Sequence, residues 1–134
     1  EEFSSPYVKQ IVDEVQDDRF LVIYHNCGDH TVDMADSILE TGAAAYHFGN
    51  AIDMRKMLER VPADTVIMGN VDPAGEFCNG TPESISRATL DLLEKCGGYP
   101  NFVISSGCDI PPLSKWENID DFFAAVKDYY EGNV

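Results

Sequence analysis

The chain has 134 residues, 44% of them apolar and 10% aromatic, enough for a core of its own. Nine Lys and Arg stand against 24 Asp and Glu, a formal charge of −15 that disfavours nucleic acid and anionic membrane as partners. Apolar runs all fall short of a membrane span, and the opening EEFSSPYVKQ has neither a basic n-region nor an apolar h-region, so the expected setting is soluble and cytoplasmic. The acidity reads as a solvated helical surface or as a docking patch for a basic partner. The chain starts without Met and enters a helical pattern at once, which suggests a piece of a longer protein.

In chain order, Ser5 as N-cap with Pro6 behind it predicts a helix to Gln16, with Tyr7, Ile11, Val12 and Val15 on its inner face. Phe20 to Tyr24 is a short continuous apolar run, the pattern of a strand buried on both faces. A helix from Val32 to Thr41 stops at Gly42, and AAAYHFG supplies a second strand and its outgoing loop. Asn50, with Asp53 three residues on, predicts the start of a helix with an apolar stripe of Met54, Met57, Leu58 and Val61.

TVIMGNVDP predicts the third strand. Thr81 and Pro82 then open a longer helix that turns Ile85, Thr89, Leu92, Leu93 and Cys96 inward and ends at Gly97-Gly98. FVISSGCDIPP predicts the fourth strand and loop, and Ser114 to Glu117 a capping box for a final helix with Ile119, Phe122, Phe123, Val126 and Tyr130 towards the core. The result is one unit over residues 1–134: a leading helix and four βα units, which demand a parallel sheet with right-handed crossovers. A small open doubly wound sheet and half of an eight-stranded barrel both satisfy this pattern. Either one puts functional groups in the loops after the C-terminal ends of the strands.

Those loops hold nearly all the uncommon chemistry: His25, Asn26, Cys27 and Asp29, then Tyr46 and His47, then Asn70 and Asp72, then Cys108 and Asp109. Zinc takes imidazole nitrogen and thiolate sulfur in a tetrahedron, with one position open in catalytic sites. His25 and Cys27, at i and i+2 of an extended segment, can converge on one ion, and Cys108 can join them if the first and last strands share a mouth. The competing reading makes these cysteines ordinary buried residues.

Cys78, in a long loop, and Cys96, on a helix face, are assigned to packing, and His30 to a solvated loop. His47 is a candidate ligand or proton donor, or else a satisfied structural histidine. Asn70 and Asp72 are candidate substrate contacts, with backbone satisfaction and turn capping as the alternatives. The Gly-Cys-Asp and Cys-Gly-Asp segments do not make a phosphate-cradling glycine loop.

YHNCGDH, MGNVDPAGEFCNGTPESI and FVISSGCDIPP together resemble the C-terminal half of the uroporphyrinogen decarboxylase superfamily, over nearly the whole chain. The resemblance implies the C-terminal half of a (β/α)8 TIM barrel, an α/β fold in which the four units are strands five to eight. Within the superfamily, H-x-C on one strand and G-C on the last are similar to the zinc site of the methylcobamide:coenzyme M methyltransferases, whereas uroporphyrinogen decarboxylases need no metal.

The motif match carries zinc ligation to His25, Cys27 and Cys108. Cobalamin-independent methionine synthase is similar in this respect, with a further ligand that would fall near His47, where its glutamate is absent. Asp109 replaces the small residue expected after Cys108. His47, Asn70, Asp72 and Asp109 are the candidate substrate contacts.

By this resemblance the cofactors are zinc and a corrinoid on a partner protein, and the reaction is methyl transfer from that corrinoid to a thiol. The remaining partners would be the missing N-terminal half-barrel or a second copy of the chain, and the chain alone would turn over little. A metal-free decarboxylase and a noncatalytic half-barrel are the alternatives.

Overall fold

The computed structural model describes residues 3–132. Helix α1 (Ser5–Val15) leads into strand β1 (Ile23–Asn26), followed by α2 (Ala35–Leu39), β2 (Ala45–Phe48), α3 (Met54–Arg60) and β3 (Val66–Val71). A π-helical turn (Pro73–Cys78) then precedes α4 (Pro82–Cys96), β4 (Phe102–Ser106) and α5 (Trp116–Glu131). The four strands form one parallel sheet in the order β1-β2-β3-β4.

An open doubly wound sheet reverses its strand order at a switch point, and this sheet does not. With right-handed crossovers, a sequential order places every connecting helix on one face. The sheet is therefore an arc of a barrel wall. No helix among the described residues is long and apolar enough to cross a membrane.

Strand alternation sorts the side chains by face. Tyr46, Phe48 and Ile67 lie beneath the helices and join Met54, Met57, Leu58 and Leu93 in the main core. A second cluster, around Val71, Phe77, Ile85 and Phe122, seats the π-helical turn between α4 and α5. The other face of the sheet is open: His25 is in register with His47 and His47 with Met68, and Ile23 and Val103 are 55% and 43% exposed.

Several expected elements shift. β1 begins at Ile23 rather than Phe20, and Phe20 and Leu21 are exposed, so only Ile23 and Tyr24 of the apolar run belong to the strand, and it is open on the face that bears Ile23 instead of buried on both. In consequence His25 and Asn26 lie within the strand. α1 starts from Ser4, while the Ser5 hydroxyl pairs with Ser37 at 2.8 Å. Of its predicted inner stripe only Val12 is buried; Tyr7, Ile11 and Val15 are exposed, because this edge of the sheet offers the helix a neighbour on one side only. α2 is just five residues long, preceded by turns that start at Asp29.

Asp53, not Asn50, caps α3, its carboxylate accepting from the Arg55 and Lys56 amides. Thr81 caps α4 as expected, with Ser84 completing a reciprocal capping box. The expected Ser114 box is absent. α5 starts from Lys115, whose Nζ donates to Gly80 O at 3.0 Å, and Phe123 and Tyr130 face outward.

Asn118 explains that register. Fully buried in the first turn of α5, it places Nδ2 3.1 Å from each of Glu76 O, Phe77 O and Gly80 O, its two hydrogens shared among the three carbonyls. These carbonyls belong to the end of the π-helical turn and the loop after it, so one amide fastens that irregular segment to α5. Asn118→Ala strands the carbonyls in an apolar setting, and a loss of roughly 3 kcal/mol or more is expected from the urea unfolding midpoint. Asn118→Asp, similar in shape but without the donor, is expected to fail likewise.

Candidate metal centre

Cys108 Sγ lies 3.5 Å from His25 Nε2, across 83 positions of sequence. For Zn–N near 2.1 Å and Zn–S near 2.3 Å, the N···S edge of a zinc tetrahedron is about 3.6 Å. The outermost strands of the sheet thus bring two of the three expected donors to the separation that zinc ligation requires.

The His25 ring is held in one tautomer. Its Nδ1 is 3.2 Å from His47 O, and because a carbonyl only accepts, that nitrogen carries the hydrogen in the neutral ring. Nε2 therefore presents its lone pair towards Cys108. Without metal, the same lone pair can accept the thiol hydrogen.

The loop after β2 is the spacer between the two ends of the site. Gly49 N donates to Asn26 O at 3.0 Å, and a Cβ on Gly49 would lie 2.7 Å from both Cα and Cβ of Cys27. On its other side, a Cβ on Gly107 would stand 2.7 Å from the backbone N of Asn50. Asn70 braces the loop from below, its Nδ2 donating to Gly49 O and Ile52 O, both at 3.0 Å. Gly69, at φ 135°, has no room for a side chain either: a Cβ there would meet Phe48 O at 2.5 Å.

The remaining expected residues are placed as follows. Cys27 is exposed, two residues beyond His25 and packed on Gly49, and among the described residues no three His, Cys, Asp or Glu side chains are gathered closely enough to hold a metal. One donor pair, His25 and Cys108, stands at a separation that zinc ligation would use, and Cys27 is not gathered with it. Asp109 is exposed beside Cys108.

The Asp72 carboxylate caps the π-helical turn through the Ala74 and Gly75 amides. With Asn50 and Asn70 it also lines a cleft of about 330 Å³. His30 is exposed between Asp29 and Asp33, at 3.8 Å from each. Cys96 is buried in the main core, where desolvation, with Asp53 adding to it, pushes its thiol up to about 11.

The profile of the uroporphyrinogen decarboxylase (URO-D) family matches residues 1–129. The chain belongs to the URO-D family.

Its relatives include methylcobamide:CoM methyltransferase MtbA of Methanosarcina mazei, 28% identical over 130 residues, which are 96% of this chain and 36% of that protein. Chloroplastic uroporphyrinogen decarboxylase of Zea mays is 32% identical over 130 residues, 95% of this chain and 32% of that protein. A solved methyltransferase from Methanosarcina mazei superposes with a TM-score of 0.81 at 22% identity, covering 96% of this chain and 36% of that one. That likeness confirms the fold as a partial (β/α)8 barrel. The URO-D chain spans about a third of the length of the curated relatives that it matches.

Gly49 and Ser106 were not among the expected site residues, and Gly107 entered only as the glycine of the G-C pair. Each comes directly after or at the end of a strand that leads to the site, and a glycine in that position is the available signal of close backbone approach.

Proposed function

We propose that this chain is the metal-binding portion of a zinc-dependent methyltransferase that moves a methyl group from a methylated corrinoid protein to a thiol, with coenzyme M or a similar small thiol as acceptor. The observation that carries the reading is the 3.5 Å approach of His25 Nε2 and Cys108 Sγ. The Methanosarcina mazei relative, a methylcobamide:CoM methyltransferase, supports it.

His25, Cys27 and Cys108 would hold the zinc, with one position open to the incoming thiol. Bound zinc supplies one piece of chemistry: it holds the thiol deprotonated near neutral pH while leaving its sulfur nucleophilic. The other tasks belong to the chain. His25 is kept in the tautomer that offers Nε2, and the Gly49–Asn50 loop sets the spacing between the two ends of the site. Asp109, exposed beside Cys108, faces the acceptor.

His47, Asn70 and Asp72 are the further proposed acceptor contacts of this chain; the cleft that Asn70 and Asp72 line is walled by Ala88, Asp91, Leu92 and Lys95 of α4, and His25 and Cys108 do not line it. The corrinoid protein, as the methyl-donor substrate, would give up its methyl group to the acceptor sulfur and keep the bonding pair, and the thiol proton would leave to solvent. The corrinoid protein docks over the barrel mouth, and the missing N-terminal half-barrel supplies the rest of the pocket.

The maize relative, at 32% identity, favours a second reading, a metal-free carboxy-lyase. One experiment separates the two. The chain is co-expressed with the amino-terminal part of the Methanosarcina mazei methyltransferase that precedes the matched region, then given methylcobalamin and coenzyme M. Loss of methylcobalamin absorbance that needs zinc is expected, with little turnover by the chain alone. Equal activity with and without a zinc chelator, or a folded complex that takes up no zinc, would reject the methyltransferase reading.

A further inference from the structure

We infer that His47 is a positioning residue that holds the two halves of the metal centre in register, its Nε2 serving neither as a ligand nor as a proton donor to substrate. The inference rests on the zinc reading above. Three contacts carry it, and each involves a different part of the residue.

The imidazole Nε2 of His47 lies 2.7 Å from Ser106 O, so the ring reaches across β3 from β2 to the end of β4 and donates to a carbonyl two residues before Cys108. The His47 carbonyl accepts from His25 Nδ1 at 3.2 Å, which selects the His25 tautomer. The two imidazole rings also lie against each other in a tilted pair, with centroids 4.7 Å apart and planes 33° apart. One residue therefore touches the His25 ring and tethers the segment that bears Cys108.

Because Nε2–H is engaged with Ser106 O, that nitrogen has no lone pair to offer a metal and no free hydrogen to offer substrate. Ser106 O also accepts from Ser105 Oγ at 3.0 Å, and Ser106 Oγ donates to Cys108 O at 2.7 Å, so the tether acts on an already ordered turn. A group outside the ligand set that orients a ligand in this way typically changes metal affinity by about 10–100-fold when lost.

The test is cobalt(II) binding to the full chain, titrated against a competing chelator and followed by the thiolate-to-cobalt charge-transfer absorption. His47→Phe keeps a ring against His25 but cannot donate to Ser106 O. His47→Gln keeps an N–H donor of similar reach. His47→Phe is expected to lose affinity by about 10–100-fold with a weakened charge-transfer band, while His47→Gln stays within about threefold of wild type. Circular dichroism of the metal-free proteins checks that each is folded, and His47→Asn, too short to reach Ser106, replaces the Phe variant if that one is not.

Equal affinity in all three proteins, or an equal loss in the Gln and Phe variants, overturns the inference while leaving the zinc reading intact. A folded wild type that takes up no cobalt overturns the zinc reading, and this inference with it.

Discussion

Cys108→Ala is expected to abolish stoichiometric zinc binding. Complete zinc sites contribute about 10–16 kcal/mol over four ligands, so a lost thiolate is worth on the order of 10²- to 10³-fold in affinity. The fold should survive, because Cys108 is only half-buried in a strand-end loop and lies outside both core clusters. Elemental analysis after exhaustive dialysis, with thermal unfolding as the control, measures both.

Cys27→Ala is the sharper member of the pair. If Cys27 swings in to complete the tetrahedron, its removal costs as much as that of Cys108. Zinc retained at full strength in Cys27→Ala would restrict the site to His25, Cys108 and other donors. Cys78→Ala, which alters a thiol at the last residue of the π-helical turn, is expected to change nothing. Full zinc occupancy in Cys108→Ala would defeat the proposed centre.

The second large effect expected is association of the isolated chain. One edge of the sheet carries the outward stripe of α1, with Tyr7, Ile11 and Val15 exposed and Phe3 85% exposed before it. The opposite edge carries α5, where Trp116 is 78% exposed and Phe123 and Tyr130 repeat at seven-residue spacing. Between them the open face of the sheet shows Ile23 and Val103. Monomeric soluble proteins rarely leave contiguous apolar surface beyond a few hundred Å² uncovered, and an arc of barrel wall also leaves two strand edges unpaired.

Light scattering is therefore expected to give at least twice the 14.8 kDa chain mass, whether through a second copy or through the added amino-terminal part of a relative. Trp116 is the single tryptophan, so its emission should shift to shorter wavelength as concentration rises. A 14.8 kDa species that unfolds cooperatively, with emission independent of concentration, would count against the need for a partner.

Local chemistry was enough to read much of the fold. Thr81 with Pro82, and the stripe of Met54, Met57 and Leu58, are decided by capping and periodicity within a few residues of themselves, and the structure has them where those rules put them. The four βα units and the parallel sheet follow by the same reasoning. The resemblance of three segments to one superfamily was legible too, and the family match over residues 1–129 agrees with it.

The choice between an open sheet and a barrel arc was not legible before that resemblance, because strand order is set by which edges meet and not by any one segment. The same holds wherever a residue's state depends on a distant neighbour. The outward turn of Phe123 and Tyr130 depends on Asn118 binding the carbonyls of Glu76, Phe77 and Gly80, some forty residues away. That His25 offers Nε2 rather than Nδ1 depends on the His47 carbonyl on the next strand, and its approach to Cys108 on two glycines that let Cys27, Asn50 and Gly107 pack backbone to backbone. By itself the sequence determined which donors stand at the strand ends, since alternation and turn chemistry act locally. Only the tertiary structure decided which of them meet, because that distance is the sum of sheet order, register and loop contacts that no single segment encodes.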